Sequence, residues 1–211
     1  MDVVVEAGRG IALGGFFEVP EGAAGIVLFA HGSGSSRHSP RNNYVASELR
    51  RAGFATLLVD LLTVEEDREY ANRFDIEVLV ERLARSLEWI GRERRSARLP
   101  VGLFGASTGA AAALRLAANE PARVAAVVSR GGRPDLAGAK FLERVRAPTL
   151  LVVGGDDTGV IELNEAAYER LGCVKELVLV PGATHLFEEP GTLEKVARLA
   201  SDWFTRHLRA A

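Results

Sequence analysis

The sequence is poorest in cysteine. Cys173 is the single thiol in 211 residues, which excludes an intramolecular disulfide and any metal site built from several cysteines. It sits between Gly172 and Val174 at a helix-to-strand junction, the place of buried packing filler rather than a reactive thiol. Charge of one sign is also missing. Lys and Arg number 26 against 28 Asp and Glu, a formal net charge of −2, and the two signs are interspersed. No electrostatic footprint calls for nucleic acid or an anionic membrane, so neither is expected as a partner. The apolar runs, such as Val124 to Val128, are far too short to span a bilayer. The start, Met1-Asp2-Val3-Val4-Val5, has no basic segment leading into an apolar one, and a cytoplasmic location is expected. A metal constellation and a dinucleotide fingerprint are likewise lacking, since Gly102-Leu103-Phe104-Gly105 has the wrong glycine spacing, so no cofactor is expected.

Apolar residues make up 47% and charged residues 26%, the balance of a globular chain, and the length suits one domain over residues 1–211. Val3 to Ala7 and Ile11 to Glu18 read as a hairpin turning at Gly8-Arg9-Gly10. Gly25 to Ala30 is a continuous apolar run, as in a strand buried on both faces. A glycine-rich polar loop, His31 to Pro40, leads into a helix from Asn42 to Arg51. Phe54 to Asp60 is the next strand, then an irregular acidic stretch, Leu61 to Arg73, and a helix capped by Asp75 through Arg94. Strands follow at Val101 to Gly105, Val124 to Ser129, Thr149 to Gly154 and Lys175 to Val180. The helices between and after them are Thr108 to Ala118, Val160 to Leu171 and Thr192 to Leu208. This alternation predicts an α/β fold, with a mostly parallel sheet covered on both faces and ligands bound at the C-terminal ends of the strands.

The unusual loops lie at that edge. Gly105-Ala106-Ser107-Thr108-Gly109 is a G-x-S-x-G segment between an apolar strand and an alanine-rich helix. Such a turn must be sharp to push the serine oxygen into the open, and small residues let the helix close on the sheet. Ser107 is therefore the candidate nucleophile, with the Thr108 N–H at the helix start as one oxyanion donor. His185 follows the last strand in Pro181-Gly182-Ala183-Thr184-His185 and is the candidate base, since imidazole takes and returns protons near neutrality. His38 and His207 read as a loop residue and a helix-end residue. The strand ending at Gly154-Gly155 runs into Asp156-Asp157, either of which could orient the imidazole. Neighbouring side chains of an extended segment point opposite ways, so only one of them can do so.

The order Ser, Asp, His after successive late strands resembles the α/β-hydrolase fold, and more closely its small dienelactone-hydrolase-like members. The resemblance covers nearly the whole chain, including Leu28-Phe29-Ala30-His31-Gly32-Ser33-Gly34-Ser35 and Gly53-Phe54-Ala55-Thr56-Leu57-Leu58-Val59-Asp60. It implies an acid in Gly-x-x-Asp-x-x-Val, which selects Asp157, and a second oxyanion donor at the Ser33 N–H, with His31 bracing that loop. It departs at position 107, where dienelactone hydrolase carries cysteine. Only a short wall, Gly131 to Lys140, stands where larger relatives insert a helical lid, so the pocket is expected to be open and to suit small substrates. The function implied is hydrolysis of a small-molecule carboxylic ester or lactone through an acyl-enzyme. Thioester or peptide cleavage by the same triad is an alternative, as is a non-catalytic binding protein on the same fold. Arg37, Arg41, Arg130 and Arg133 fall in loops at the same edge, and Arg130 or Arg133 is a candidate to bind a substrate carboxylate.

Overall fold

The computed structural model describes residues 1–8 and 10–208; Arg9, in the expected hairpin turn, lies outside them. Among the described residues the sheet has eight strands: β1 Asp2–Glu6, β2 Ala12–Glu18, β3 Ile26–Ala30, β4 Ala55–Val59, β5 Val101–Ala106, β6 Val124–Arg130, β7 Thr149–Gly154 and β8 Lys175–Val180. Their order is β1-β2-β4-β3-β5-β6-β7-β8. The pairs β1/β2 and β2/β4 are antiparallel and every other pair is parallel. The helices are α1 Pro40–Arg51, α2 Val64–Asp67, α3 Ile76–Arg92, α4 Thr108–Asn119, α5 Ala139–Leu142, α6 Thr158–Arg170 and α7 Thr192–His207. Among the described residues no helix is long and apolar enough to cross a membrane.

The continuous apolar runs are the strands buried on both faces. In β3, Ile26, Leu28 and Ala30 face a core shared with Leu79, Leu83 and Leu87 of α3 and the alanines of α4. Val27 and Phe29 face the opposite core, made with Val45 and Leu49 of α1 and Val196, Ala200 and Trp203 of α7. This two-residue alternation is the pleat of a strand with helices above and below it.

Local chemistry sets the helix starts. α1 begins two residues before the expected Asn42, because Pro40 occupies its first turn and the Ser39 hydroxyl accepts from the Asn42 N–H. Asp75 caps α3 as expected, accepting from the Glu77 and Val78 N–H groups. The stretch Leu61 to Arg73, expected to be irregular, is built instead. Thr63 and Glu66 close a capping box on α2, and a 3₁₀ turn, Tyr70–Phe74, follows. Arg82, nearly buried on α3, reaches Glu66 at 2.9 Å, and Arg73 forks onto the Asp67 carboxylate at 2.9 and 2.8 Å.

Strand β3 lies between β4 and β5, so the loops after β3 and β5 leave the sheet in opposite directions. That is a switch point, where open parallel sheets bind ligands. Between β6 and β7 stand only a 3₁₀ turn, Pro134–Ala137, and α5, where the short wall was expected.

Candidate active site

The turn from β5 into α4 carries Ser107 at φ 50 and ψ −121, a left-handed conformation that non-glycine residues rarely adopt. Such a residue costs about 1–3 kcal/mol and persists only where its surroundings hold it. Here the backbone is clamped on both sides. The Ser107 N–H donates to the Arg130 carbonyl at 3.2 Å, and the Ser107 carbonyl accepts from the N–H groups of Ala110 and Arg133, each at 3.1 Å.

The flanking glycines make the turn possible. A Cβ on Gly109 would lie 2.2 Å from the Ala30 carbonyl oxygen, and one on Gly105 would lie 2.4 Å from the Ala110 Cα. No side chain fits at either place, so α4 rests directly on the ends of β3 and β5. From the other side, a Cβ on Gly32 would stand 3.0 Å from the Ser107 Cβ, which brings the loop after β3 against the serine.

His185 and Asp157 meet. The imidazole Nδ1 lies 2.6 Å from Asp157 Oδ2, and the side chains are 37% and 17% exposed. Asp156, the alternative acid, is exposed, and its N–H is bound to the Ala183 carbonyl. The histidine loop is held by Glu189, whose carboxylate accepts from the Thr184 hydroxyl at 2.6 Å and from the Thr184 N–H at 3.1 Å. Those bonds lower the Glu189 pKa. Ser107 and His185 line one cleft of about 210 Å³ with Gly32, Ser33, Arg41, Asn42 and Arg130. Among the described residues no hydrogen bond joins the serine hydroxyl to the imidazole. Such contacts are often long at rest and tighten along the reaction path.

Among the described residues the N–H groups of Ser33 and Thr108 donate to no backbone carbonyl, and they flank the serine from the loop after β3 and from the first residue of α4. His31 braces the Ser33 loop. It is buried, its Nε2 accepts from the Leu61 N–H at 3.0 Å, and its Nδ1 lies 2.9 Å from the Gly32 carbonyl. Burial lowers its pKa, which suits a neutral ring with one donor and one acceptor nitrogen.

The four arginines separate. Arg37 is bound to Asp60, and Arg133 forks onto Asp135 at 2.9 and 2.7 Å. Arg133 thus has its planar fork on a carboxylate two residues on and does not line the cleft with Ser107 and His185. Arg41 reaches Glu188 at 3.0 Å from the rim of the cleft. Arg130 is 7% exposed, lines the cleft and has no carboxylate partner among the described residues. Burial first, and the Arg41 charge second, pull its pKa down to about 10.

Two asparagines support the site without standing in any sequence motif. Asn42, in the first turn of α1, places its Oδ1 3.5 Å from Arg130 Nη2. Asn164, buried in α6, donates to the Gly132 carbonyl at 3.0 Å and so ties down the loop that clamps Ser107. Neither stands in a recognisable motif, and no sequence signal marks them. Two wider grooves, about 510 and 620 Å³, lie elsewhere; the first opens at the N-terminal ends of β5 and β6, away from all these groups. Convergence of reactive groups, not cavity size, locates the site.

The same fold recurs in known proteins. The sequence model of the α/β-hydrolase fold matches residues 25–147. The crystal structure of dienelactone hydrolase from Anabaena variabilis ATCC 29413 is 55% identical, covers 99% of this chain and 98% of its own, and superposes with a TM-score of 0.95. In Mycobacterium tuberculosis strains CDC 1551 and H37Rv, relatives provisionally named phosphoribosyl transferases are 60% identical over 207 residues, 98% of this chain. The chain spans 46% of the length of those relatives. Est1E from Butyrivibrio proteoclasticus, at 16% identity with 97% of this chain and 98% of its own covered, shares the fold with a TM-score of 0.83. The chain belongs to the α/β-hydrolase family. Within that family it is a dienelactone-hydrolase-like protein.

Proposed function

We propose that the chain is a serine hydrolase that cleaves small carboxylic esters or lactones through an acyl-enzyme. One observation carries the reading. A serine held at φ 50 on a strand-to-helix turn shares a cleft with an imidazole whose far nitrogen sits 2.6 Å from a carboxylate.

In this reading His185 takes the Ser107 proton as the oxygen attacks the substrate carbonyl carbon. Asp157 holds the ring with Nδ1–H donating to it, so that Nε2 is the basic nitrogen, and stabilises the imidazolium that forms. The negative charge on the carbonyl oxygen is met by the Ser33 and Thr108 N–H groups, an interaction worth about 3 kcal/mol of barrier per donor in such sites. His185 returns its proton to the leaving oxygen. Water, deprotonated by the same imidazole, then adds to the acyl carbon and frees Ser107.

The dienelactone hydrolase from Anabaena supports an ester or lactone substrate, and the short wall between β6 and β7 supports a small one. The transferase name of the mycobacterial relatives describes chains about twice as long, and the reading here rests on the cleft. Hydrolysis of p-nitrophenyl acetate tests it. The wild type is expected to turn the ester over, and Ser107→Ala to abolish turnover with the fold intact. Full activity in that variant would refute the mechanism. A matched series of ester, thioester and amide checks the leaving group, and the ester is expected to react fastest.

A further inference from the structure

The cleft that holds Ser107 and His185 also holds a charge that the protein leaves unanswered among the described residues. Other arginines with little exposure are paired: Arg82 with Glu66, Arg37 with Asp60, Arg115 with Glu77. Arg130 is not. Its Nη2 makes one long contact, 3.5 Å to Asn42 Oδ1, its Nε is buried without a partner, and its guanidinium carbon lies 5.9 Å from the Phe187 ring centroid. A buried cation without a counter-charge costs folding stability, and it remains protonated at neutral pH even with its pKa drawn down to about 10.

A second cation stands beside it. Arg41, in the first turn of the twelve-residue helix α1, is close enough for its charge to depress the Arg130 pKa. Its own partner, Glu188, is 63% exposed, and an exposed pair of this kind is held by only about 0–1 kcal/mol. Arg41 can therefore turn from Glu188 towards an anion in the cleft. Ser35 and Ser39 line the same cavity, together with Arg41 and Asn42 from the first turn of α1, whose end carries the positive pole of the helix dipole.

These donors come from three elements: the end of β6, the first turn of α1 and the loop after β3. A carboxylate has two oxygens in one plane, which a single guanidinium fork satisfies. A phosphate monoester has three terminal oxygens in a tetrahedral array and carries nearly two charges at neutral pH. Two guanidinium groups that repel each other are relieved more by a dianion than by a monoanion. We propose that Arg130, Arg41 and the start of α1 form a phosphoryl-binding subsite, so that the ester cleaved at Ser107 carries a phosphate monoester on its acyl or alcohol part. The proposal rests on the acyl-transfer reading above. Water adds across the acyl C–O bond, giving an acid and an alcohol, and the phosphate leaves attached to the part that bore it.

Three acetates of similar size test it: 2-acetoxyethyl phosphate, 3-acetoxypropionate and 2-methoxyethyl acetate. The wild type is expected to prefer the phosphate over the neutral ester by about 10- to 100-fold in kcat/KM, mainly through KM, and to prefer it over the carboxylate as well. Arg130→Met is expected to remove that preference, and Arg41→Gln to reduce it severalfold. Inorganic phosphate should raise the melting temperature of the wild type but not of Arg130→Met. Equal rates on the phosphorylated and neutral esters, a carboxylate that matches the phosphate, or a preference that survives in Arg130→Met overturns the subsite. If no acetate is hydrolysed, the acyl-transfer reading fails by itself, and the phosphate-induced thermal shift still decides for or against the subsite.

Discussion

Replacing Gly109 by alanine tests the packing that produces the elbow. The new Cβ would lie 2.2 Å from the Ala30 carbonyl oxygen and 2.4 Å from that of His31, at the end of β3. Non-bonded carbon and oxygen do not approach so closely, so α4 must lift from the sheet by roughly 1 Å. Overpacking of this kind costs about 1–3 kcal/mol, which for a chain of this size lowers the melting temperature by about 2–12 °C. The displacement reaches Ser107 two residues earlier. Misplacing a reacting group by about 1 Å costs on the order of 100-fold in rate. Circular dichroism melting and p-nitrophenyl acetate turnover, measured on the same preparation, read both effects. Gly159→Ala is the control, because its Cβ would meet nothing within 4 Å and it lies in α6. That change is expected to stabilise by about 0.4–1 kcal/mol. A Gly109→Ala variant with wild-type melting and wild-type turnover would show that close contact between α4 and β3 does not shape the nucleophile.

Asp157→Asn is expected to lower kcat by roughly 10³- to 10⁴-fold, since a neutral amide neither fixes the imidazole tautomer nor stabilises imidazolium; Asp156→Asn should stay within severalfold of wild type in the same assay. Arg130→Met is expected to raise stability at neutral pH by on the order of 2 kcal/mol, seen in a urea titration. The sign follows from a folded-state pKa drawn down to about 10, below that of the unfolded chain: the unfolded chain holds the proton more tightly, so the penalty is complete below pH 10 and fades only as pH rises beyond it. His31, whose pKa is lowered from 6.5 by burial, works in the acid direction. The unfolded chain takes up that proton first, so stability should fall as pH drops through the region below 6.5, and His31→Gln should flatten this part of the melting-temperature profile.

The strands buried on both faces were legible because nothing but a continuous apolar run can sit between two helical layers. β3, β5 and β7 fall where those runs lie. Strand order was not legible in detail: pairing of β2 with β4, with β3 beyond it, depends on contacts between segments far apart in the chain. The elbow stood out because its geometry demands particular residue types at 105, 107 and 109. Which of Asp156 and Asp157 faces the imidazole is decided by a turn whose angles the sequence does not display. The resemblance pointed to Asp157, and the 2.6 Å contact places that side chain on His185. The segment from Leu61 to Arg73 shows both situations. Its Thr63–Glu66 capping box is a pattern readable in the sequence, whereas the anchor from Arg82 comes from another helix and leaves no local trace. The arginines divide the same way. The fork of Arg133 onto Asp135 is a two-residue neighbour relation, but the isolation of Arg130 emerges only when β6, α1 and the histidine loop are assembled.

The most direct test is covalent labelling with a fluorophosphonate, followed by tryptic digestion and mass spectrometry. A serine activated by His185 should take up one phosphonyl group within the peptide Leu99–Arg115, fragment spectra should place it on Ser107, and His185→Ala should suppress the reaction. An unlabelled protein, or an adduct on any other residue, would contradict the assignment of Ser107 as nucleophile.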